Sequence, residues 1–180
     1  VFDGIMIMRA HATSEENKVN GWGVPPVGFG RSGVHGNFYI RGAIQSMRGI
    51  VANDAEEAMY MARAKDQNGD SITSKHTYEL HFPPGQTPPA RYFWSLTVYD
   101  QDANLMLNDY DRYAISGNSE DLIYEDDGSL RILIGGEPPE GMVGNWLPAG
   151  ESFTRVTLRV YGPEKAMIER TWKPPQLKRL

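Results

Sequence analysis

The chain is predicted to be mainly β, an antiparallel sandwich of two sheets. Three observations carry that prediction. Apolar residues recur at every second position in several short segments, which places them on one side of a pleated strand. Breakers are abundant, with 19 Gly and 12 Pro, and they cut the chain into short pieces with turn signals between them. Only one segment carries sustained helical periodicity. Seven or more short strands with so little helix point to a sandwich. The jelly roll is one variety, which periodicity alone does not separate from other Greek-key sandwiches.

The elements follow in order. Residues 1–9 fit a strand or the tail of a preceding element; they are apolar but lack the basic start and small-residue cleavage site of a signal peptide. Residues 11–18 are polar and read as a loop. The stretch "NGWGVPPVGFGRSGVHGN" is dense in breakers around Trp22 and Phe29. So long an irregular connection is either an interdomain linker or a functional loop packed by its own aromatics. A flanking helix is predicted over about 37–49. Asn37 is its N-cap, Ile40, Ala43, Ile44 and Met47 make one apolar face, and Gly49 stops it. Arg41 and Arg48 share another face, which suits solvation, ion pairing or an anion.

Residues 58–72 read as a strand, a turn at Asn68-Gly69 and a returning strand. Tyr78, Leu80 and Phe82 alternate with polar neighbours, and "PPGQTPP" ends that strand because proline removes ladder donors. Trp94, Leu96 and Val98 alternate next, and "DQDAN" turns the chain. Residues 112–115 offer a short strand. "YEDDG" is a turn, followed by Leu130, Ile132 and Ile134 on one side of a strand. Val156, Leu158 and Val160 repeat the pattern. A short helical turn is expected near 163–168, with Pro163 near its first position. The tail "WKPPQLKRL" reads as extended.

A chain of 180 residues fits one domain and buries roughly 70% of the surface its unfolded form exposes. The expected division is residues 1–36 as an N-terminal strand and loop, or a linker from a missing upstream domain, and 37–180 as the sandwich. A start at Val1 rather than Met reads as a piece of something longer. The formal net charge of −5 argues against nucleic acid, whose phosphates demand a basic footprint. No run approaches the ~20 apolar residues of a membrane-spanning helix. Without cysteine there are no disulfides, thiolate metal sites or Cys nucleophiles.

Four separated segments, "PPARYFWSLTVYDQDANLM", "YEDDGSLRILI", "GNWLPAGESFTRVTLRVYGPEKAM" and "TWKPPQLKRL", with the loop-helix "NGWGVPP…GNFYIRGAI", resemble the bacterial domain-of-unknown-function 1214 family. The resemblance covers residues 20–180. It implies a jelly-roll-like sandwich, often the C-terminal half of an exported protein whose N-terminal half is the related 1254 domain. It implies no established reaction. The chain departs from the family twice. Where relatives show Asn-Pro-Leu-Asn-Arg-Tyr, "LNDYDRYAI" keeps Arg112-Tyr113 and lacks the proline. "GGEPPEGMVG" replaces a polar stretch bearing His or Gln before Asn145-Trp146.

Candidate chemistry is sparse. "DQDAN" opens like a calcium loop, but Leu105 stands where Gly is needed and Asp111 where Glu is needed; a hairpin turn explains its Asx residues. "YEDDG" is likewise a turn. His11, His35, His76 and His81 show no ligand spacing, and no metal or cofactor is expected. There is no Gly-x-Ser-x-Gly elbow. Glu79 and Asp100 stay open as a hydrolytic pair, which would need a separation of about 5–9 Å in a cleft. Trp146 and Trp172 fit either plugs of the sandwich or sugar-stacking platforms. Arg112, Arg155 and Arg159 fit anion contacts or ion pairs. The binding set is Arg41, Arg112, Tyr113, Asn145, Trp146, Arg159 and Trp172. The expected function is a binding or domain- and subunit-assembly module of an exported bacterial protein, periplasmic or extracellular. Its expected partners are an upstream related domain or further copies of itself. The alternative is a hydrolase or lyase acting on a glycan or small organic acid.

Overall fold

Strands with one apolar side must cover it, and here two sheets cover each other. The computed structural model describes residues 15–26, 28–39 and 53–180, with Met6, Ala10, Arg41, Gly42 and Gln45. Its strands are β1 (Lys18–Val19), β2 (Trp22–Gly23), β3 (Ala58–Arg63), β4 (Tyr78–Phe82), β5 (Ala90–Asp100), β6 (Ala114–Ser116), β7 (Leu130–Ile134), β8 (Trp146–Leu147), β9 (Phe153–Pro163) and β10 (Lys178–Arg179). Short helices α1 (Ser32–His35) and α2 (Lys165–Ile168) are among the elements of the described residues. One sheet runs β1-β2-β3-β9-β5-β6 and the other β10-β4-β7-β8. Pairing is antiparallel, except that β8 lies parallel to β7.

The alternating trios form the interior as expected. Tyr78, Leu80 and Phe82 of β4 and Leu130, Ile132 and Ile134 of β7 come from the four-stranded sheet. They meet Trp94, Leu96 and Val98 of β5 and Val156, Leu158 and Val160 of β9 in one core. Each such side chain contributes roughly 1.5–3 kcal/mol by leaving water. The pleat then dictates what faces outward. β9 is flanked by β3 and β5, so Arg159 lies between Tyr60 and Ser95, Thr157 between Ala62 and Thr97, and Tyr161 between Ala58 and Phe93. Arg155 lies opposite Tyr99.

Several elements differ from the sequence reading. The stretch read as an irregular connection contains β2, and β1 lies just before it, where the polar loop was expected to end; the two are joined through Asn20 and Gly21 at φ of 49° and 82°. Both values are left-handed, the geometry of a two-residue type I′ hairpin. Strands of two residues hold too few alternations to show a period. After Asn68-Gly69 the returning strand is reduced to the single bridge Lys65–Ser71. The strand expected at 112–115 is β6, two residues later, which leaves Arg112 outside it. Pro163 closes β9, and Glu164 is the N-cap of α2. The tail ends in β10, which pairs with β4. Of the predicted helix 37–49, Phe38, Tyr39, Arg41, Gly42 and Gln45 are helical. Its remaining apolar face and Arg48 lie outside the described residues, as does most of 1–9. Among the described residues no helix is long and apolar enough to cross a membrane.

Hairpin and tail are fastened to each other. Trp22 donates its Nε1–H to the Pro175 carbonyl at 2.8 Å, and Asn20 Nδ2 donates to the Pro174 carbonyl at 2.8 Å. Buried Arg63 donates to the carbonyls of Asn20, Lys65 and Asp66, and Arg179 pairs with Asp66 and Asp70.

Candidate functional site

Three of the sequence-chosen residues come together in one corner, and their polar atoms are already engaged. Asn145 is 0% exposed. Its Oδ1 accepts from Ile123 N at 2.8 Å, and its Nδ2 donates to the carbonyls of Ile123 at 2.6 Å and Arg131 at 2.9 Å. Trp146, 1% exposed, donates Nε1–H to the Gly135 carbonyl at 3.0 Å. Arg112 donates Nε–H to the Trp146 carbonyl at 2.7 Å, Nη2 to the Gly144 carbonyl, and pairs through Nη1 with Asp121 at 2.9 Å. Arg112 thereby bonds backbone carbonyls at β8, an outer strand of its sheet, where open carbonyls would template another strand. Gly144 is required there, because a Cβ would run into the Asp121 carbonyl.

The other chosen residues are dispersed. Trp172 packs against the core and donates to the Gln86 carbonyl at 3.1 Å. Arg41 donates to the Gly30 carbonyl. Tyr113 is half-buried just before β6. Glu79 and Asp100 sit on different sheets. Glu79 faces Arg131 at 3.9 Å and Lys178 at 3.8 Å. Asp100 accepts backbone N–H bonds from Asp102 at 2.9 Å and Asn104 at 2.8 Å. These bonds, Asn104 first, hold its carboxyl below the usual range, and Arg155 adds to the effect through space. Its role is to close the "DQDAN" turn. His76 and His81 are exposed, and among the described residues no group of His, Asp and Glu could hold a metal.

Arg159 stands elsewhere, on the outward side of the six-stranded sheet. Its Nη1 donates to Thr97 Oγ1 at 3.0 Å and its Nη2 to the Tyr99 hydroxyl. Its guanidinium carbon lies 5.9 Å from the Tyr60 ring centre and 5.3 Å from that of Tyr99. Arg155 approaches the same Tyr99 ring at 5.3 Å, and its buried Nε–H has no acceptor. Among the described residues neither Arg155 nor Arg159 belongs to an ion pair. Phe93 stacks on Tyr161 at 4.6 Å and 21°, and Tyr60 meets Tyr161 edge-on at 6.3 Å. Burial, together with Tyr161, pushes the Tyr60 phenol above its ordinary pKa, and Arg159 opposes that rise.

This face therefore has a cationic end and an aromatic end, floored by Thr97 and Thr157. Sequence reasoning reached Arg155 and Arg159 but missed Tyr60, Phe93, Thr97, Tyr99 and Tyr161. The available signal was alternation: Phe93, Thr97, Tyr99 and Tyr161 stand opposite the buried trios of β5 and β9, and Tyr60 lies between buried Met59 and Met61 on β3. Two of the cavities bordered by described residues lie away from this face. One of about 280 Å³ is bordered by Phe29, Arg31, Asp54, Met59 and Ile168, with Arg31 paired to Asp54 at 2.5 Å across its rim. The other, of about 410 Å³, lies beside Tyr124, Asp126, Asp127, Arg131 and Met142.

Comparisons with known proteins agree with the fold. A family model described as "Protein of unknown function (DUF1214)" matches residues 57–165. A crystal structure of a Vibrio parahaemolyticus protein superposes with a TM-score of 0.66 at 24% identity. The match covers 79% of this chain and 35% of that one, so this chain spans about a third of its length. An uncharacterised Burkholderia cenocepacia protein gives a TM-score of 0.49 at 16% identity, over 99% of this chain and 40% of that one. No curated protein matches the chain.

Proposed function

The chain belongs to the DUF1214 family, and on that premise we propose that it is a binding module whose contact surface is the outward face of β3, β9 and β5. One observation carries this reading. Two guanidiniums, Arg155 and Arg159, share an aromatic ring there, and among the described residues no carboxylate is ion-paired to either. A fold that keeps like charges together, with only the through-space field of Asp100 set against Arg155, is receptive to an anionic group from outside. Tyr, Phe and Arg are also the residue types enriched at contact surfaces.

A jelly-roll connectivity, an exported setting, and docking to an upstream related domain or to further copies complete the proposal. The family resemblance supports them, as does the greater length of the Vibrio protein of similar fold. If native mass measurement on a full-length product found only monomers whose halves make no contact, the assembly part would fall. The hydrolase or lyase reading gains no specific observation, since Glu79 and Asp100 are on separate sheets and engaged.

The direct test is an amide-shift titration of the 180-residue chain with soluble poly-glutamate. Perturbations confined to Tyr60, Thr97, Tyr99, Arg155, Arg159 and their neighbours are expected. Shifts that map elsewhere, or none at millimolar acid groups, would reject the contact surface.

A further inference from the structure

We infer that Arg155, Tyr99, Thr97 and Arg159 form a site for a small dicarboxylate, an inference that rests on the outward face being the contact surface. Arg155 and Arg159 stand four residues apart on one face of β9, so their side chains start about 13 Å apart and converge on Tyr99. Each guanidinium carbon is 5.3 Å from the centre of that ring, so the two charges are no farther apart than twice that distance. They are two separate forks with one apolar ring as shared neighbour.

Each fork matches one carboxylate, because parallel N–H donors meet both oxygens of a planar acid. Arg159 is held in place by Thr97 Oγ1 and the Tyr99 hydroxyl. Those two bonds leave three of its five N–H donors for a ligand. The Nε–H of Arg155 is buried without an acceptor, so an incoming carboxylate meets the terminal Nη groups of Arg155, end-on to its fork. A single acid group or a compact oxyanion can occupy only one fork well. Two carboxylates joined by a short carbon chain occupy both, with the methylenes lying along the Tyr99 ring. The second contact is then intramolecular, which raises affinity without further interactions. Asp100 acts on Arg155 only through space, its oxygens being bonded within its own turn, so the Arg155 fork stays open to a ligand carboxylate.

The test is calorimetric titration with succinate, glutarate, acetate and sulfate at matched ionic strength, on the parent chain and on R155Q, R159Q and R155K. Succinate or glutarate is expected to bind at least about tenfold more tightly than acetate. R155Q and R159Q should each reduce that affinity to the acetate level, and R155K, which keeps charge without the fork, should restore only part of it. Dicarboxylates no tighter than acetate, sulfate equal to succinate, or arginine variants without effect would each overturn the inference. If poly-glutamate still perturbs the face while dicarboxylates are silent, the small-ligand site falls and the binding module stands. If both are silent, both fall.

Discussion

Arg112 and Arg159 stand out in the sequence for the same reason, and the fold uses them in opposite ways. At the β8 corner, Arg112 bonds two backbone carbonyls and one carboxylate, beside an Asn145 whose amide is fully paired. On the outward face, Arg159 and Arg155 touch hydroxyls and aromatic rings and are in no ion pair among the described residues. The contrast lies in the acceptors. Carbonyls and a carboxylate saturate a guanidinium and turn it into a brace, whereas ring faces and hydroxyls hold it in place without a bonded carboxylate. Burying or clustering charge without a partner is unfavourable, so the second arrangement is a poor way to stabilise a sheet and a good way to receive an anion.

Variants sharpen that contrast in decreasing order of effect. N145A leaves Ile123 N and the Arg131 carbonyl without partners in a sealed corner. It should cost about 3 kcal/mol and lower the melting temperature by roughly 9 °C, read by thermal unfolding. R112Q removes the cover from two carbonyls and should cost about 2 kcal/mol by the same measurement. The double variant R155Q/R159Q loses contacts to Tyr60 and Tyr99 but relieves repulsion, so its stability should change by less than about 1 kcal/mol. A melting point as depressed as that of N145A would erase the distinction between brace and receptor.

Smaller effects report the field of the two arginines. The Tyr60 phenol is raised mainly by burial and lowered by Arg159, so R159Q should move it further up in a phenolate-absorbance titration. Because the folded value is the higher one, the associated stability is present below the unfolded tyrosine range. It is lost as pH rises through the folded value. Asp100 has the reverse sign. Its depressed carboxyl favours the folded turn above the unfolded carboxylate range, and that preference disappears as pH falls through the folded value. Acid titration of the Asp102 and Asn104 amides should follow this, with a slightly earlier midpoint on acidification in R155Q.

The core was legible because it rests on a local rule. Residues two apart share a side, so Tyr78, Leu80 and Phe82 declare themselves within β4, as Val156, Leu158 and Val160 do within β9. The receptive face was half legible for the same reason. Arg155 and Arg159 follow from the alternation in β9. The contacts of Arg159 with Thr97 and Tyr99, and of Arg155 with Tyr99, depend on the register of β5, about sixty positions earlier, and no pattern within β9 encodes that register. The corner failed differently. Residue types at Arg112 and Asn145 announce donors, but the acceptors are main-chain carbonyls, which every position supplies and no sequence marks. The Asn20-Gly21 hairpin shows in the sequence only as a dipeptide, because its strands are too short to alternate.

The bond between Trp22 and Pro175 joins positions 153 apart, and Leu177 is a fully buried core residue. During synthesis the hairpin of β1 and β2 must therefore wait for its fastening until Pro175 has emerged from the ribosome. Nascent forms that stop short of Leu177 would present an unsealed apolar seam beside β4, the stage at which a chaperone has most to hold.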